Sequence, residues 1–326
     1  MINFDKIFNN FNRKKVLIIG DAMIDSYMWG EINRISPEAP VPIVEIKNYE
    51  SRLGGAANVA LNIQSLGAEP ILCSIIGNDN KGILFNKLMQ KSNITTKGII
   101  KIAGRKTTTK TRVISDNKHQ IRIDEEDTHE IENEDKLLKL VNSILNNIDV
   151  IILQDYNKGV LTPKIITQII EVANRKKIPT IVDPKNKNFN CYKNCTIFKP
   201  NLSEIKVGMN IELNDDNIEE IKIASTKLRQ SLKAQAILLT LSDKGICINS
   251  KEEFTYTPAF KRNIIDISGA GDTVLSVAAL CLALNINNNY LSIISSLAGG
   301  IVCEEVGVVP INKQKLILET KNISLK

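Results

Sequence analysis

The sequence predicts a doubly wound α/β fold, in which a mostly parallel sheet has helices on both faces and carries a small antiparallel β lid. Three observations support this class. Short apolar runs recur along the 326 residues, amphipathic segments of helical length separate these runs, and two stretches without helical spacing interrupt the alternation. Because buried strands that alternate with helices form parallel sheets, the alternation defines the main body and the interruptions define the lid.

The predicted strands are continuous apolar runs that end in glycine or polar residues. After a short polar lead, they read KVLIIGD, PILCSIIG, VIILQD, IPTIVDP, TIFKP and AILLTL. The predicted helices between them read GGAANVALNIQSLGA, NKGILFNKLMQKS, EDKLLKLVNSILNN, PKIITQIIEVANRKK and NIEEIKIASTKLRQSL. We expect Gly67 to end the first helix and Pro163 to begin the fourth. The late run VLSVAALCLAL is apolar all round and predicts a buried helix.

The predicted lid consists of two stretches of the chain, at about residues 28–52 and 106–124. Both stretches are rich in β-branched residues and in polar alternation, which favour strands with one open face. No linker rich in proline, glycine or serine divides the rest of the chain. We therefore expect a single domain over residues 1–326 with the lid attached to it.

Composition and charge exclude several classes of protein. Hydrophobic residues make up 43% of the chain and charged residues 24%, as in globular proteins. No apolar run approaches the roughly 18 residues of a membrane span, and the first residues lack a signal-peptide core, so a cytoplasmic protein without a membrane partner is expected. The net charge of +6 is spread along the chain, which gives no sign of nucleic-acid binding. Six scattered cysteines and two histidines predict neither disulfides nor a zinc cluster.

Polar residues that follow the predicted strands are the first candidates for a ligand site, because open parallel sheets bind ligands beyond the carboxyl ends of their strands. Each of them could equally be an ordinary loop residue, but together they line one rim. The candidates are Asp21, Asp25, Asp155, Asp183, Lys185, Asn201, Glu204, Ser242 and Asp243.

Two helices are preceded by glycines. Gly269, Ala270 and Gly271 stand before Asp272, and a second glycine pair opens the segment GGAAN at 54–58. The start of a helix has unpaired N–H groups, and glycines let an anion approach them closely. A purely structural turn, with Asp272 favouring the helix N-terminus, is the alternative. The chain has neither a GxGxxG motif after its first strand nor a P-loop, so a different phosphate-binding scheme is needed.

Four motifs, in this order, resemble those of the ribokinase-like carbohydrate kinases, also called the phosphofructokinase-B type. They are GGAAN, DPK, KPNLSE and DISGAGDT. The last is similar to the family signature D-T-x-G-A-G-D and differs from it only at Ile267. Within the family, the stretches GDAMIDSYMWGEINRISPEAPVPIVE, TKTRV and QDYNKGVL resemble the heptose 7-phosphate kinase module, which is often fused to an adenylyltransferase domain. That second domain carries an H-x-G-H motif, and neither His119 nor His129 belongs to such a motif, so we expect the kinase alone.

The resemblance implies transfer of the γ-phosphate of ATP to the anomeric C1 hydroxyl of D-glycero-D-manno-heptose 7-phosphate. The product would be the 1,7-bisphosphate, a precursor of ADP-heptose and the lipopolysaccharide core. Asp272 matches the family's base; with an ordinary pKa near 3.9 it would be ionised and only weakly basic. Gly269, Ala270 and Gly271 would stabilise the transferring phosphoryl group. The alternatives are a kinase of another sugar or sugar phosphate, such as a fructose phosphate, and a non-catalytic sugar-phosphate sensor.

The resemblance also implies the binding residues. Those expected on the sugar phosphate are Asp25, Gly54, Gly55, Asn58, Arg112, Lys185, Arg34 and Asp155. Those expected on the ATP side are Asn201, Glu204, Thr240, Ser242, Gly245 and Ser296, the last standing where the family often has asparagine beside adenine. Asn201 and Glu204 would act on Mg²⁺ through water, and Asp266 would either bind K⁺ or cap its turn. The lid would close over the sugar and pair with a second lid in a homodimer.

Overall fold

A computed structural model gives the structure of residues 3–116 and 118–324. The strands, in chain order, are β1 (Lys15–Gly20), β2 (Ala22–Ile35), β3 (Pro42–Gly55), β4 (Glu69–Gly77), β5 (Ile99–Ile102), β6 (Thr109–Ser115), β7 (Lys118–Glu125), β8 (Val150–Gln154), β9 (Thr180–Asp183), β10 (Ile197–Phe198), β11 (Ala236–Thr240), β12 (Ile246–Ser250) and β13 (Phe254–Thr257). The helices are α1 (Phe4–Phe11), α2 (Ala56–Ser65), α3 (Asn80–Lys91), α4 (Glu134–Ile144), α5 (Pro163–Arg175), α6 (Leu202–Met209), α7 (Ile218–Leu232), α8 (Ala270–Ala283), α9 (Asn288–Val302) and α10 (Lys313–Ser324).

The main sheet, within the described residues, has nine strands in the order β13-β12-β11-β10-β9-β8-β1-β4-β5. All six predicted strands are present in it, as β1, β4, β8, β9, β10 and β11, and neighbours among them run parallel. The strands β12 and β13 add an antiparallel hairpin at one edge. The predicted class, a doubly wound and mostly parallel α/β fold, is confirmed.

Helices on both faces of the sheet explain why its strands are continuous apolar runs. Along β1, Val16 and Ile18 pack into one core with α2, α8 and α9, whereas Leu17 and Ile19 pack into a second core with α4, α5 and α7. Because successive side chains of a strand point to opposite faces, a strand covered on both faces needs apolar residues at every position. The late apolar run forms α8, which is buried on all sides from Asp272 to Cys281, as predicted.

The predicted helix ends follow ordinary capping chemistry. Gly67, with a φ of +95°, follows the end of α2, and Pro163 is the first residue of α5. The side chain of Thr162 caps α5 by accepting the amide N–H of Ile165. In the described part of the chain, no helix is long and apolar enough to cross a membrane.

The residues predicted to be a polar lead instead form the amphipathic helix α1. Phe4, Ile7, Phe8 and Phe11 are buried against the core shared by α8 and α9. Their spacing of three and four residues is that of one helix face. The side chain of Asn3 caps the helix by accepting the amide N–H of Lys6.

The lid is a separate four-stranded sheet in the order β3-β2-β6-β7. Its two hairpins, β2–β3 and β6–β7, are antiparallel as predicted, but β2 pairs with β6 in parallel, from Ile24 opposite Thr109 to Gly30 opposite Ser115. The predicted lid is thus antiparallel within each hairpin and parallel where the two hairpins meet. The chain crosses the main body through α2, β4, α3 and β5 between the two hairpins, so β6 can enter the lid in the same direction as β2.

Candidate active site

The candidate site is built around Asp272, in the first turn of α8. Gly269 precedes the helix in the left-handed conformation, with a φ of +82°, which glycine adopts without a steric penalty. A Cβ atom at Gly269 would lie 3.3 Å from the side-chain nitrogen of Asn58, so the turn also packs closely against α2. This turn brings the carboxylate of Asp272 into the interior, and Asp272 is only 5% exposed.

Three neutral donors hold the carboxylate of Asp272. Asn58 donates its side-chain N–H to Oδ2 at 2.8 Å, and Tyr156 donates its hydroxyl to Oδ1 at 2.8 Å. Gln154 donates its side-chain N–H to the same Oδ1 at 3.3 Å. Asn58 is itself held by Asn62, one helical turn further along α2. The predicted residues Asn58 and Asp272 therefore meet, although 214 positions separate them.

Burial changes the acidity of Asp272. Loss of water, and next the negative charge of Asp183, raise the pKa of the Asp272 carboxyl from 3.8 to about 7, against the hydrogen bonds from Asn58 and Tyr156 that lower it. The expectation of an ordinary aspartate pKa is therefore wrong, because the sequence does not reveal that the carboxylate is enclosed. A carboxylate with a pKa near neutrality is a stronger base than an exposed aspartate.

The N-terminus of α8 is open beside this carboxylate. A Cβ atom added at Gly271 would meet no heavy atom within 4 Å. The amide N–H groups of Gly271 and Asp272 belong to the first turn, where a helix has no internal acceptors for them. Unpaired amides, the positive end of the helix dipole and free space together make a site for an anion such as a phosphoryl group.

Asp25 lies at the base of the lid, buried on β2. Arg112 on β6 donates to its Oδ1 at 2.5 Å, and the Arg112 guanidinium carbon lies 5.5 Å from the centre of the Tyr27 ring. Gly54 on the neighbouring strand is needed for this arrangement, since a Cβ there would lie only 2.1 Å from the Oδ2 of Asp25. Gly55, with a φ of +56°, then leads directly into α2. A buried carboxylate, an arginine and close glycine backbone suit a polyol that carries a phosphate.

The other two candidates for the substrate phosphate lie elsewhere. Lys185, two residues after the end of β9, forms an ion pair with Glu204 and lies 5.8 Å from the centre of the Tyr156 ring. Arg34 is exposed near the far end of β2. Of the three predicted cations, only Arg112 contacts the carboxylate predicted to hold the sugar.

Asn201 and Glu204 form a capping box at the start of α6. Asn201 accepts the amide N–H of Glu204 at 2.8 Å through Oδ1, and Glu204 accepts that of Asn201 at 2.9 Å through Oε2. The second carboxylate oxygen of Glu204 pairs with Lys185. Each carboxylate oxygen retains a second lone pair, so this pair of residues fits a hydrated cation better than direct coordination.

Asp266 caps its turn. Its Oδ1 accepts the amide N–H of Ser268 and its Oδ2 that of Gly307, both at 2.9 Å. Although burial opposes it, the bond from Ser268 helps to lower the pKa of this carboxyl. The geometry agrees with the turn-cap alternative and leaves lone pairs on both oxygens. Among the described residues there is no group of three or more histidine, cysteine, aspartate or glutamate side chains arranged for a metal ion.

The roles of the remaining predicted residues stay predictions. Asp155 is buried after β8, with Oδ1 accepting the amide N–H of Asn157 and Oδ2 the hydroxyl of Tyr192. Thr240 ends β11 and pairs with Asn201 through an isolated parallel bridge. Ser242 and Gly245 bound the short turn between β11 and β12, and Ser296 is half-buried on α9.

Sequence reasoning missed the residues around the carboxylates of Asp272 and Asp183. Tyr156 and Gln154 contact Asp272 directly, and Lys199 forms a buried ion pair with Asp183 at 3.0 Å. Gln154 and Tyr156 belong to the stretch QDYNKGVL, which begins at the last residue of β8, at the ligand-binding rim. Their position at that rim was the available signal.

The fold and this site place a buried carboxylate at the start of a glycine-led helix, an arrangement suited to phosphoryl transfer. The pattern of the family described as "pfkB family carbohydrate kinase" matches residues 13–314, and the chain belongs to this family. The predicted enzyme class, a carbohydrate kinase acting on an alcohol group, is thereby confirmed.

Two named relatives share the description "Bifunctional protein HldE". The chain is 36% identical to the protein of Koribacter versatilis, over 95% of this chain and 64% of the relative, and 38% identical to that of Aliarcobacter butzleri, over 90% and 62%. The chain thus spans less than two thirds of the length of these relatives.

Solved structures share the fold at low sequence identity. Phosphofructokinase-2 from Escherichia coli, in complex with potassium, has a TM-score of 0.80 at 18% identity, covering 95% of this chain and 99% of that one. Ribokinase from Arabidopsis thaliana, complexed with ribose and ATP, has a TM-score of 0.71 at 17% identity, covering 94% and 98%.

Proposed function

We propose that this carbohydrate kinase transfers the γ-phosphate of ATP to the C1 hydroxyl of D-glycero-D-manno-heptose 7-phosphate. The observation that carries the chemistry is the buried carboxylate of Asp272 beside the open N-terminus of α8. The heptose phosphate as substrate is supported by the motifs that resemble heptose 7-phosphate kinase modules and by the similarity to the HldE proteins. The contact between Asp25 and Arg112 supports an acceptor with both hydroxyl and phosphate groups.

In this proposal, Asp272 accepts the proton of the C1 hydroxyl as that oxygen attacks the γ-phosphorus of ATP. The bond between this phosphorus and the β–γ bridging oxygen breaks, and ADP leaves with the electron pair. The amide N–H groups of Gly271 and Asp272, at the positive end of the α8 dipole, stabilise the negative charge on the transferring phosphoryl group. Phosphoryl transfer depends mainly on alignment and on charge stabilisation, so a base that is held in one orientation suffices. Closure of the lid would exclude water from the reacting groups and limit hydrolysis of ATP.

Two cations would complete the site. Asn201 and Glu204 would hold Mg²⁺ through water, together with the ATP phosphates, whose charge Mg²⁺ offsets. Asp266 would bind K⁺ through its free lone pairs while it caps the turn. Turnover in K⁺ and Na⁺ buffers of equal ionic strength tests this role, and equal rates in both would exclude it.

The substrate is tested by initial rates with ATP, Mg²⁺ and a panel of acceptors. The panel contains heptose 7-phosphate, the unphosphorylated heptose, a fructose phosphate and ribose, and NMR identifies the phosphorylated position. We expect the highest kcat/KM for heptose 7-phosphate, with the new phosphate on C1. A higher kcat/KM for an unphosphorylated sugar contradicts the proposal. Asp272→Asn, prepared in parallel, reports any contaminating kinase.

Arg112→Met tests the proposed phosphate contact. The substitution should raise KM for the sugar phosphate about tenfold or more, because the charge-assisted contact between Arg112 and the substrate phosphate is lost. It should leave KM for ATP unchanged. Arg34→Met, measured beside it, distinguishes the two lid arginines. The larger effect in Arg34→Met would reassign the phosphate site to the end of the lid.

We also propose that the lid pairs with a second lid in a homodimer. Several apolar lid residues are exposed: Ile35, Val41, Tyr49, Ile121 and Ile123. Strand β7 is exposed at every described position, which leaves it open to a partner. Sedimentation of the wild type and of Ile121→Glu tests this: a dimer that the substitution weakens is expected, and a wild-type monomer at high concentration contradicts it. The proposed use of ATP by this kinase agrees with the expected cytoplasmic location.

A further inference from the structure

We infer that Tyr156 is a positioning residue of this kinase: its hydroxyl holds Oδ1 of Asp272, so that Oδ2 accepts the proton of the sugar. The inference rests on the proposed role of Asp272 as the base. It adds the particular oxygen that reacts and the side chain that selects it.

The hydrogen bonds at Asp272 distinguish its two oxygens. An ionised carboxylate oxygen can accept about two hydrogen bonds. Oδ1 accepts two, from Tyr156 at 2.8 Å and from Gln154 at 3.3 Å. Oδ2 accepts one from the described residues, that of Asn58 at 2.8 Å. One lone pair therefore remains for an incoming hydroxyl, and it lies on Oδ2.

The backbone around Tyr156 is held by a second buried carboxylate. Asp21, directly after β1, accepts the amide N–H groups of Tyr156 at 2.8 Å, Lys158 at 3.0 Å and Val160 at 3.1 Å. These three bonds fold the loop after β8 around one side chain. The phenol is thereby presented to Asp272 by a rigid element, as precise positioning requires.

The charges around the pair keep the phenol a donor. Burial, together with the negative charges of Asp272, Asp183 and Asp25, raises the pKa of the Tyr156 hydroxyl well above its ordinary value. The facing cations are Lys199 and Lys185, which lie beside Asp183 and Glu204 respectively. Because the phenol stays protonated, its bond favours the ionised form of Asp272 over the neutral form.

Tyr156→Phe tests the inference, because it removes the hydroxyl and keeps the ring. Loss of a donor to the ionised carboxylate should raise the titration midpoint of Asp272 by about one pH unit. The midpoint is followed by ¹³C NMR of aspartate carboxyl carbons in the free protein, and Asp272→Asn identifies the resonance. The acidic limb of kcat/KM should move to higher pH by the same amount, and kcat should fall roughly tenfold with KM for ATP unchanged.

Tyr192→Phe is the matched control. It also removes a buried phenol that donates to a carboxylate, since the Tyr192 hydroxyl bonds Asp155 at 2.7 Å. This variant should change the stability to a similar extent and leave the Asp272 midpoint in place. If Tyr156→Phe does not fold, Gln154→Met removes the other bond to Oδ1 and should shift the midpoint in the same direction.

The outcomes separate this inference from the proposed function. An unchanged Asp272 midpoint in the Tyr156 variant overturns it, and so does an equal shift in Tyr192→Phe. The NMR titration needs no substrate, so it decides the contact even if the wild type phosphorylates none of the tested sugars. That last result would refute the proposed function alone. A shifted midpoint with an unmoved acidic limb would overturn the role of Tyr156 in the reaction.

Discussion

Replacing Asp272 with asparagine should change the stability of the protein in a way that depends on pH. Relative to the wild type, the variant should become more stable as the pH rises. The folded protein keeps the Asp272 carboxyl protonated up to about pH 7, whereas the ordinary value is 3.8. Between these values the folded state binds one more proton than the unfolded chain, so wild-type stability falls as pH rises. Above pH 7 both states are ionised at this group, and its contribution stops changing.

The magnitude follows from the width of that window. Each pH unit changes the free energy of unfolding by about 1.4 kcal/mol, so wild-type stability should fall by about 3 kcal/mol between pH 5 and pH 8 through Asp272 alone. Asparagine does not titrate. Groups such as Asp155, whose carboxyl pKa burial raises to about 6, are present in both proteins and cancel in the difference. The stability of Asp272→Asn minus that of the wild type should therefore increase by about 3 kcal/mol.

Urea unfolding of both proteins at pH 5 and pH 8, without ligands, measures this difference. Comparing two pH values removes the pH-independent effects of the substitution, such as altered bonds to Asn58 and Tyr156. A difference that is the same at both pH values would refute the reasoning, because it would mean that Asp272 is already ionised at pH 5. The same variant should bind ATP and lose roughly two to four orders of magnitude in kcat, the range of general-base catalysis. Near-normal turnover would refute its role as base.

Two further substitutions test the sugar site and the core. Gly54→Ala should raise KM for the sugar about tenfold or more and leave KM for ATP unchanged, because the new Cβ would lie 2.1 Å from the Asp25 Oδ2. A KM for the sugar equal to that of the wild type would contradict this. Phe8→Ala should lower the free energy of unfolding by about 3–5 kcal/mol, since Phe8 is buried against α8 and α9. Urea unfolding measures the loss, and a loss below about 1 kcal/mol would mean that α1 is not packed on the core.

Six strands of the main sheet could be predicted because each is an apolar run; β5, which also runs parallel, is short and contains the exposed Lys101, and was not predicted. The helix α1 could have been predicted as well, since Phe4, Ile7, Phe8 and Phe11 have helical spacing; the polar residues among them obscured it. The parallel pairing of β2 with β6 could not. It depends on the path of the chain through four intervening elements, and the composition of the two strands does not encode that path.

The site was predictable where its residues lie close together in the sequence, within one short motif. Glycines before Asp272 and before Asn58 indicated two helix N-termini, and the structure joins these two side chains. The support of Asp272 by Tyr156 was not predictable, because the two residues are 116 positions apart and meet only once the sheet has formed. The raised pKa of Asp272 likewise depends on enclosure, which arises from the packing of α2, α8 and the loop after β8.

Two neighbouring buried carboxylates, Asp183 and Asp272, differ in their partners. Asp183 forms an ion pair with Lys199 at 3.0 Å, so its negative charge has a cation beside it. Asp272 is held by the neutral groups of Asn58, Tyr156 and Gln154. Burial raises the pKa of both carboxyls; the positive charge of Lys199 leads the opposing effects at Asp183, and the hydrogen bond from Asn58 leads them at Asp272. Gln154 donates to both carboxylates, and the negative charge of Asp183 adds to the effect of burial in raising the pKa of Asp272.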